Sequence, residues 1–160
     1  MRKHLFRAAA LVGLVGLACS DGLEPVPFQG ISGTVSFVGE VPDSTDWVRL
    51  VAYRDLPQQP LDLLGFAAFS DTLPLGVQNP EFILGLDAAR YAWLPIVWKR
   101  QDAPLSPEAL RVIGWYTGGS GPFDPPQPIE VETNAETGDL TVTGDFGQLL
   151  TAEEALEAIR

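Results

Sequence analysis

The chain has 160 residues, and its 10 basic and 21 acidic side chains give a net charge of −11. A protein this acidic repels nucleic-acid phosphates, so we expect no nucleic-acid partner. The one histidine, His4, and the one cysteine, Cys19, both lie in the first 19 residues. The rest of the chain therefore lacks the residues of a histidine-dependent triad and of a Cys/His zinc site.

Residues 1–18 predict a signal peptide. Arg2, Lys3 and Arg7 precede an uninterrupted run of small and apolar residues over 8–18. At about 1.5 Å of rise per residue, this run is too short to cross a hydrocarbon core of roughly 30 Å as a helix. A short apolar run behind positive charges is typical of a secretory signal.

The end of this run, Gly16-Leu17-Ala18-Cys19, resembles the lipobox of bacterial lipoproteins. The resemblance implies cleavage before Cys19, a diacylglycerol on its thiol and acylation, for instance with palmitate, of the new amino terminus. Ser20 implies, by the same resemblance, transport onward to the outer membrane of the cell envelope. Several acyl chains together hold a protein firmly to a bilayer, whereas one does so marginally. The alternative is an ordinary secretory signal in which Cys19 has no role.

Residues 19–29 predict a lipidated tether, which Pro25 and Pro27 make extended and semi-rigid. Removal of residues 1–18 takes three basic side chains with it, so the net charge moves from −11 to −14. The remaining 142 residues are enough for one domain with a proper core. We assign residues 30–148 to a β-domain and residues 149–160 to a C-terminal amphipathic helix.

Alternation of apolar and polar residues indicates strands throughout the β-domain. The predicted strands are 31–37, 47–53, 65–73, 81–86, 91–100, 110–116, 129–132 and 140–146. About seven or eight short strands separated by turn signals predict an all-β protein, an antiparallel β-sandwich of the prealbumin-like or Ig-like kind.

Two of these strands carry finer expectations. Strand 91–100 is apolar on both faces, which indicates a central strand, and Pro95 within it predicts a bulge. Residues 133–139 have the composition of a turn, so we expect strands 129–132 and 140–146 to pair across it.

The C-terminal segment has a helical period. Thr151 and Glu154 form a predicted capping box, and the apolar positions are spaced as one face of a helix. A helix this short is not stable alone. We therefore expect it to pack on the sheet or on a partner. The apolar positions are Ala152, Ala155, Leu156 and Ile159.

Two phrases, Gly30-Ile31-Ser32-Gly33-Thr34-Val35 and Val48-Arg49-Leu50-Val51-Ala52-Tyr53, are similar to the prealbumin-like group, as is the stretch 82–97. This group includes carboxypeptidase-regulatory-like domains. The resemblance implies a β-sandwich that serves as a non-catalytic accessory module, and thus a protein that is not an enzyme.

The aromatic residues allow two interpretations. Trp47, Trp93, Trp98 and Trp115 all lie between aliphatic residues in strands, which favours packing in a core. Alternatively, Trp47, Tyr53 and Trp115 form an exposed stacking platform for a sugar or a peptide. The strands of this platform also carry Arg49 and Arg111.

The sequence gives only weak indications of catalytic or metal-binding residues. Lys99, the one lysine after the signal, is expected at the surface end of a strand. Asp43, Asp46 and Asp139 are candidates for calcium binding by residue type, but no EF-hand loop surrounds them, so we expect them as turn residues. No spacing singles out a pair of carboxylates for a hydrolase. We therefore expect no catalytic residue, metal or cofactor.

These patterns together predict a non-enzymatic, lipid-anchored cell-envelope protein. Its sandwich is expected to act as an interaction or structural module with an envelope protein as partner. The alternative is a carbohydrate-binding surface module that uses exposed aromatics to bind a glycan.

Overall fold

The computed structural model describes residues 27–160. Cys19, the predicted signal peptide and most of the predicted tether lie outside these residues. The described chain forms nine strands, two 3-10 turns (Pro60–Leu64 and Pro107–Ala109) and one helix, α1 (Ala152–Ala158). The strands are β1 (Gly30–Val38), β2 (Thr45–Ala52), β3 (Ala68–Phe69), β4 (Glu81–Gly85), β5 (Ala89–Tyr91), β6 (Pro95–Arg100), β7 (Leu110–Trp115), β8 (Ile129–Val131) and β9 (Glu136–Asp145).

The strands form two main sheets, of order β4-β1-β9 and β3-β2-β6-β7, and a small β5-β8 pair. A hydrophobic core lies between the two main sheets, with fully buried Ile31 and Val35 from one and Leu50 and Ile96 from the other. The predicted all-β sandwich with a short C-terminal helix is confirmed. Its pairings are antiparallel except that of β1 with β9, which is parallel.

The pairing predicted for strands 129–132 and 140–146 is wrong. β8 pairs with β5, whereas β9 leaves it and pairs with β1. The close approach of β1 and β9 depends on Gly33, where a Cβ atom would collide with the backbone of Leu140. This contact brings the apolar face of β9, with Leu140 and Val142, over the core between the sheets.

The predicted strand 91–100 is divided between two sheets. Tyr91 ends β5, and Pro95 begins β6, a position where a strand tolerates the missing N–H of proline. β6 is a central strand with neighbours on both sides and five consecutive buried residues, as predicted.

The bulge predicted at Pro95 lies instead in the neighbouring strand β7. The β6–β7 register places Gly114 opposite Ile96 but Val112 opposite Val97, so Ile113 is the extra residue. The extra residue reverses the alternation of side chains. Ile113 therefore joins the core between the sheets, and Trp115 returns to the outer face of the four-stranded sheet.

The helix packs on the outer face of the four-stranded sheet, against β7 and the first 3-10 turn. Thr151 Oγ1 accepts a hydrogen bond from Glu154 N at 3.3 Å, and Glu154 Oε2 accepts one from Thr151 N at 2.8 Å, so the predicted capping box is confirmed. Ala155 and Leu156 are buried against Val112 and Trp115 in a second hydrophobic core. The sheet, rather than a separate partner, thus covers the apolar face of the helix.

Candidate functional site

The outer face of the four-stranded sheet is covered unevenly. Lys99 in β6 lies opposite Trp47 in β2 on one side and opposite Leu110 in β7 on the other. The α1 helix covers the β7 side of this face, and the first 3-10 turn with the loop that follows it covers the middle. The face therefore stays open beside β2 and β3.

The opening is a cleft of about 240 Å³ with mainly apolar walls. We call it the Arg49 cleft. Its volume corresponds to about eight water molecules, so it is smaller than the pockets that hold drug-sized ligands. The residues that line it are Trp47, Arg49, Val51, Tyr53, Leu63, Leu64, Phe66, Phe69, Val97, Lys99, Leu105 and Leu110.

The Arg49 guanidinium lies between two aromatic rings. Its central carbon is 5.2 Å from the Trp47 ring centroid and 4.8 Å from that of Phe69, distances at which a cation is attracted to a ring face. Phe69 is brought there by the pairing of β3 with β2, in which it lies opposite Val51. The pairing of β3 with β2 thus places the Arg49 guanidinium between the rings of Trp47 and Phe69.

Arg49 has unused hydrogen-bonding capacity. Its Nε atom is buried and has no hydrogen-bond acceptor among residues 27–160. The ion pairs among residues 27–160 are Arg54–Asp87, Arg90–Glu130 and Lys99–Asp46, and Arg49 belongs to none of them. Unpaired buried donors are rare because they lose hydration without replacement. Arg49 is therefore the group in the cleft that would gain most from an incoming acceptor.

Lys99 is not at the surface, and that expectation is wrong. Only 8% of it is exposed, and its Nζ donates a hydrogen bond of 2.7 Å to Asp46 Oδ2. Lys99 lies on the outer face of β6, where its stem packs beside Trp47 and Leu110 rather than extending past the end of the sheet. Asp46 neutralises its charge, which leaves Arg49 as the uncompensated cation of the cleft.

Tyr53 is not part of an exposed platform. It is 4% exposed at the floor of the cleft, and its hydroxyl donates a hydrogen bond of 2.6 Å to the carbonyl oxygen of Leu63. Burial raises the pKa of the Tyr53 hydroxyl far above its ordinary value, so the group stays neutral and keeps this bond. Tyr53 supports the cleft from below.

Trp115 is not exposed either. It is 1% exposed, its ring lies 5.3 Å from that of Phe123, and its Nε1 donates to the carbonyl oxygen of Asp124 at 2.6 Å. Phe123 and Asp124 belong to the Gly/Pro-rich loop 118–128, which folds back over β7. The alternative interpretation, an exposed platform of Trp47, Tyr53 and Trp115, is therefore wrong for its last two members, and for Trp115 the core interpretation is confirmed. Of the three, Trp47 alone borders open space, and it is half-buried. Arg111, the second cation predicted near it, does not line the Arg49 cleft.

The remaining aromatic walls and the rim were not predicted. Phe66 and Phe69 meet edge to face at 5.2 Å, while Phe69 and Leu105 are 47% and 59% exposed at the rim. They come from a short edge strand and from loops, where no periodic pattern marks a residue as a neighbour of β2. The pairing of Phe69 with Val51 could have been found only from a correct register for β3.

Other parts of the described surface are less distinctive. A larger groove of about 890 Å³ lies beside the Arg54–Asp87 ion pair, but it is open to solvent, and the one cation among its described lining residues, Arg54, is already paired. Among residues 27–160, no group of three or more acidic, histidine or cysteine side chains is placed to hold a metal ion. Within the same residues, no helix has the length and apolar character needed to cross a membrane.

Comparison of the chain with family models, with curated proteins and with solved structures finds no match. The residues of the Arg49 cleft are therefore the basis for assigning a function.

Proposed function

We propose that this chain is a non-enzymatic, lipid-anchored protein of the cell envelope whose β-sandwich is an interaction module. In this proposal the amino-terminal segment with Cys19 attaches the protein to a membrane. Residues 19–29 form the tether between this anchor and the β-sandwich. An extended chain of that length reaches at most about 40 Å. The contact site of the module is the Arg49 cleft.

One observation carries this proposal: apolar side chains stay exposed around a cation on an otherwise acidic protein. Phe69 and Leu105 are each about half exposed at the rim of the cleft. Full burial of a large apolar side chain contributes about 1.5–3 kcal/mol, so covering the exposed halves of these two would contribute about 2 kcal/mol in all. A patch of this kind, rimmed by polar groups, is typical of a contact surface.

The chemistry of the cleft supports binding rather than catalysis. Its ionisable side chains are Arg49, Lys99 and Tyr53. Lys99 is held by Asp46, and the raised pKa of Tyr53 keeps its hydroxyl neutral. Proton transfer near neutral pH requires a group whose pKa is close to that pH, and burial moves the pKa of Tyr53 further from it. The arrangement suits recognition of a partner that brings its own acceptor.

The carbohydrate-binding alternative has less support. A sugar platform needs a broad, accessible aromatic face, whereas Tyr53 and Trp115 are buried. Trp47 remains, but Arg49 already lies over its ring. The described aromatic residues thus favour a ligand that inserts one apolar side chain over a ligand that stacks a flat sugar ring.

The anchor is tested by replacing Cys19 with serine in the full-length chain and following the protein between membrane and soluble fractions. We expect Cys19→Ser to move the protein out of the membrane fraction, while Ser20→Ala leaves it there. Retention of the Cys19→Ser variant in membranes would contradict acylation at this residue.

The contact site is tested with a photoreactive amino acid at position 69 of the full-length chain in its native envelope. The control carries it at position 83, because Ile83 is 67% exposed on the other sheet. We expect a discrete adduct from position 69 alone, and a weaker one when Trp47→Ser is added. Equal adducts from both positions, or none from position 69, would refute the interaction module.

A further inference from the structure

We infer that the Arg49 cleft binds the C-terminal residue of a partner polypeptide, with the apolar side chain in the cleft and the α-carboxylate on the Arg49 guanidinium. The inference rests on the proposed interaction module and names the chemistry that its contact site recognises.

The anionic half of this chemistry follows from the surroundings of Arg49. Its Nε–H is buried without an acceptor, and it belongs to none of the ion pairs formed among residues 27–160. A guanidinium offers donors in a fork that matches the two oxygens of a carboxylate. A carboxylate held by this fork would therefore neutralise the charge of Arg49.

The overall negative charge of the chain opposes an anionic ligand, but only weakly at this distance. At physiological ionic strength, charges farther apart than about 8 Å are largely screened. None of the described residues that line the cleft is acidic, and Asp46, which contacts the lining residue Lys99, is engaged by it at 2.7 Å. The short-range attraction of Arg49 therefore prevails inside the cleft.

The apolar half of the ligand must lie close to the carboxylate. The guanidinium carbon is about 5 Å from both aromatic walls, Trp47 and Phe69. A ligand that touches the walls and the cation together needs both groups within the span of one residue. The volume of about 240 Å³ admits one large side chain and little more. A chain-terminal residue with an aromatic or branched side chain meets both conditions.

The rim favours a polypeptide over a free apolar acid. Phe69 and Leu105 remain about half exposed outside the narrow part of the cleft. A small acid would fill the cleft and leave this rim uncovered, whereas the residues that precede a C-terminus would continue across it. The occupant we assign is therefore the end of a chain.

The direct test is a titration of the isotope-labelled protein with the peptide acetyl-Gly-Ala-Phe, followed through the ¹H–¹⁵N resonance of Arg49 Nε. We expect this resonance and the amide resonances of Trp47 and Phe69 to shift with the free acid. A charge-assisted hydrogen bond is worth roughly tenfold in affinity, so the C-terminal amide of the same peptide should bind about tenfold more weakly or worse. This comparison needs no variant of the protein.

Variants sharpen the assignment. Arg49→Gln should bind acid and amide equally, whereas Arg90→Gln, which removes the same charge from an ion pair on β5, should leave the tenfold preference intact. The inference is overturned if the amide binds as well as the acid, if free 3-phenylpropionate binds as tightly as the peptide, or if no cleft resonance shifts. In each of those cases an adduct from position 69 would still support the interaction module, so the two proposals fail separately.

Discussion

The two ends of the outer face of the four-stranded sheet contain the same residue type in opposite surroundings. At the β7 end, Trp115 is 1% exposed beneath Phe123, on the face that α1 covers. At the β2 end, half-buried Trp47 lies beside an arginine with an unused donor. The first tryptophan belongs to a closed core, and the second borders the Arg49 cleft. The difference shows that burial, rather than residue type, separates structural aromatics from candidate contact residues in this protein.

The comparison is tested most strongly by truncating the two tryptophans. Trp115→Ala leaves a cavity in the second core, so we expect its free energy of unfolding to fall by about 3–5 kcal/mol. Trp47→Ala loses partial burial and a cation–π contact, so we expect a loss of about 1 kcal/mol. Urea denaturation at 25 °C measures both. Equal losses would mean that the two ends are equally closed.

The closed end also depends on the helix. Leu156 is 3% exposed in the second core, so Leu156→Ala should lower the free energy of unfolding by about 2–4 kcal/mol. Glu157→Ala changes the exposed neighbour and should alter it by at most about 0.5 kcal/mol. Thermal unfolding of the two variants checks the prediction, and an unaffected melting temperature for Leu156→Ala would show that the helix does not hold the β7 end closed.

Gly114, which follows the extra residue of the β7 bulge, contributes to the stability of the fold. Its φ is 149°, and an added Cβ atom would collide with the carbonyl oxygen of Thr143 in β9. We expect Gly114→Ala to lower the free energy of unfolding by about 2 kcal/mol or more. Gly85 in β4 has open space at its Cβ position, so Gly85→Ala serves as the matched control with little expected effect. Chemical denaturation of both variants separates a specific close approach from a general intolerance of added side chains.

The smallest expected effect concerns pH and the helix cap. The pKa of the Glu154 carboxyl lies below its ordinary value because it accepts a hydrogen bond from the backbone N–H of Thr151. A carboxyl with a lowered folded-state pKa contributes stability above its unfolded pKa of about 4.3, and the contribution disappears as the pH falls through the folded-state value.

Replacement of Glu154 by glutamine should flatten the acid limb of the stability profile slightly. Glu153→Gln, a change outside the capping box, should leave the profile as in the parent chain. Urea midpoints measured between pH 3 and pH 6 give the comparison. Identical acid limbs for the parent and Glu154→Gln would mean that the cap adds no pH-dependent stability.

The sequence predicted most features that local pattern determines. Alternation located the majority of the strands, and the spacing from Thr151 to Ile159 located the helix and its cap. Long-range pairing followed no local signal: β9 pairs with β1 rather than with β8, and the bulge lies at Ile113 rather than at Pro95. Both outcomes depend on contacts between distant segments, such as Gly33 against Leu140.

The same limit applied to the candidate site. Trp47 and Arg49 could be placed together because they alternate on one strand. Phe69 and Leu105 could not be placed beside them, because Phe69 lies in an edge strand of two residues and Leu105 lies in a loop. Burial of Trp115 agrees with the interpretation that its aliphatic neighbours favoured, whereas its cover by loop 118–128 followed no local pattern.

We expect the β2 end of this face, and not the β7 end, to receive a ligand. The measurement is ¹⁹F NMR of the full-length chain labelled with 5-fluorotryptophan, with resonances assigned by single Trp→Phe variants, during titration with acetyl-Gly-Ala-Phe. We expect the Trp47 resonance to shift in a saturable way and the Trp115 resonance to stay in place. A Trp115 shift equal to or larger than that of Trp47 would contradict this expectation.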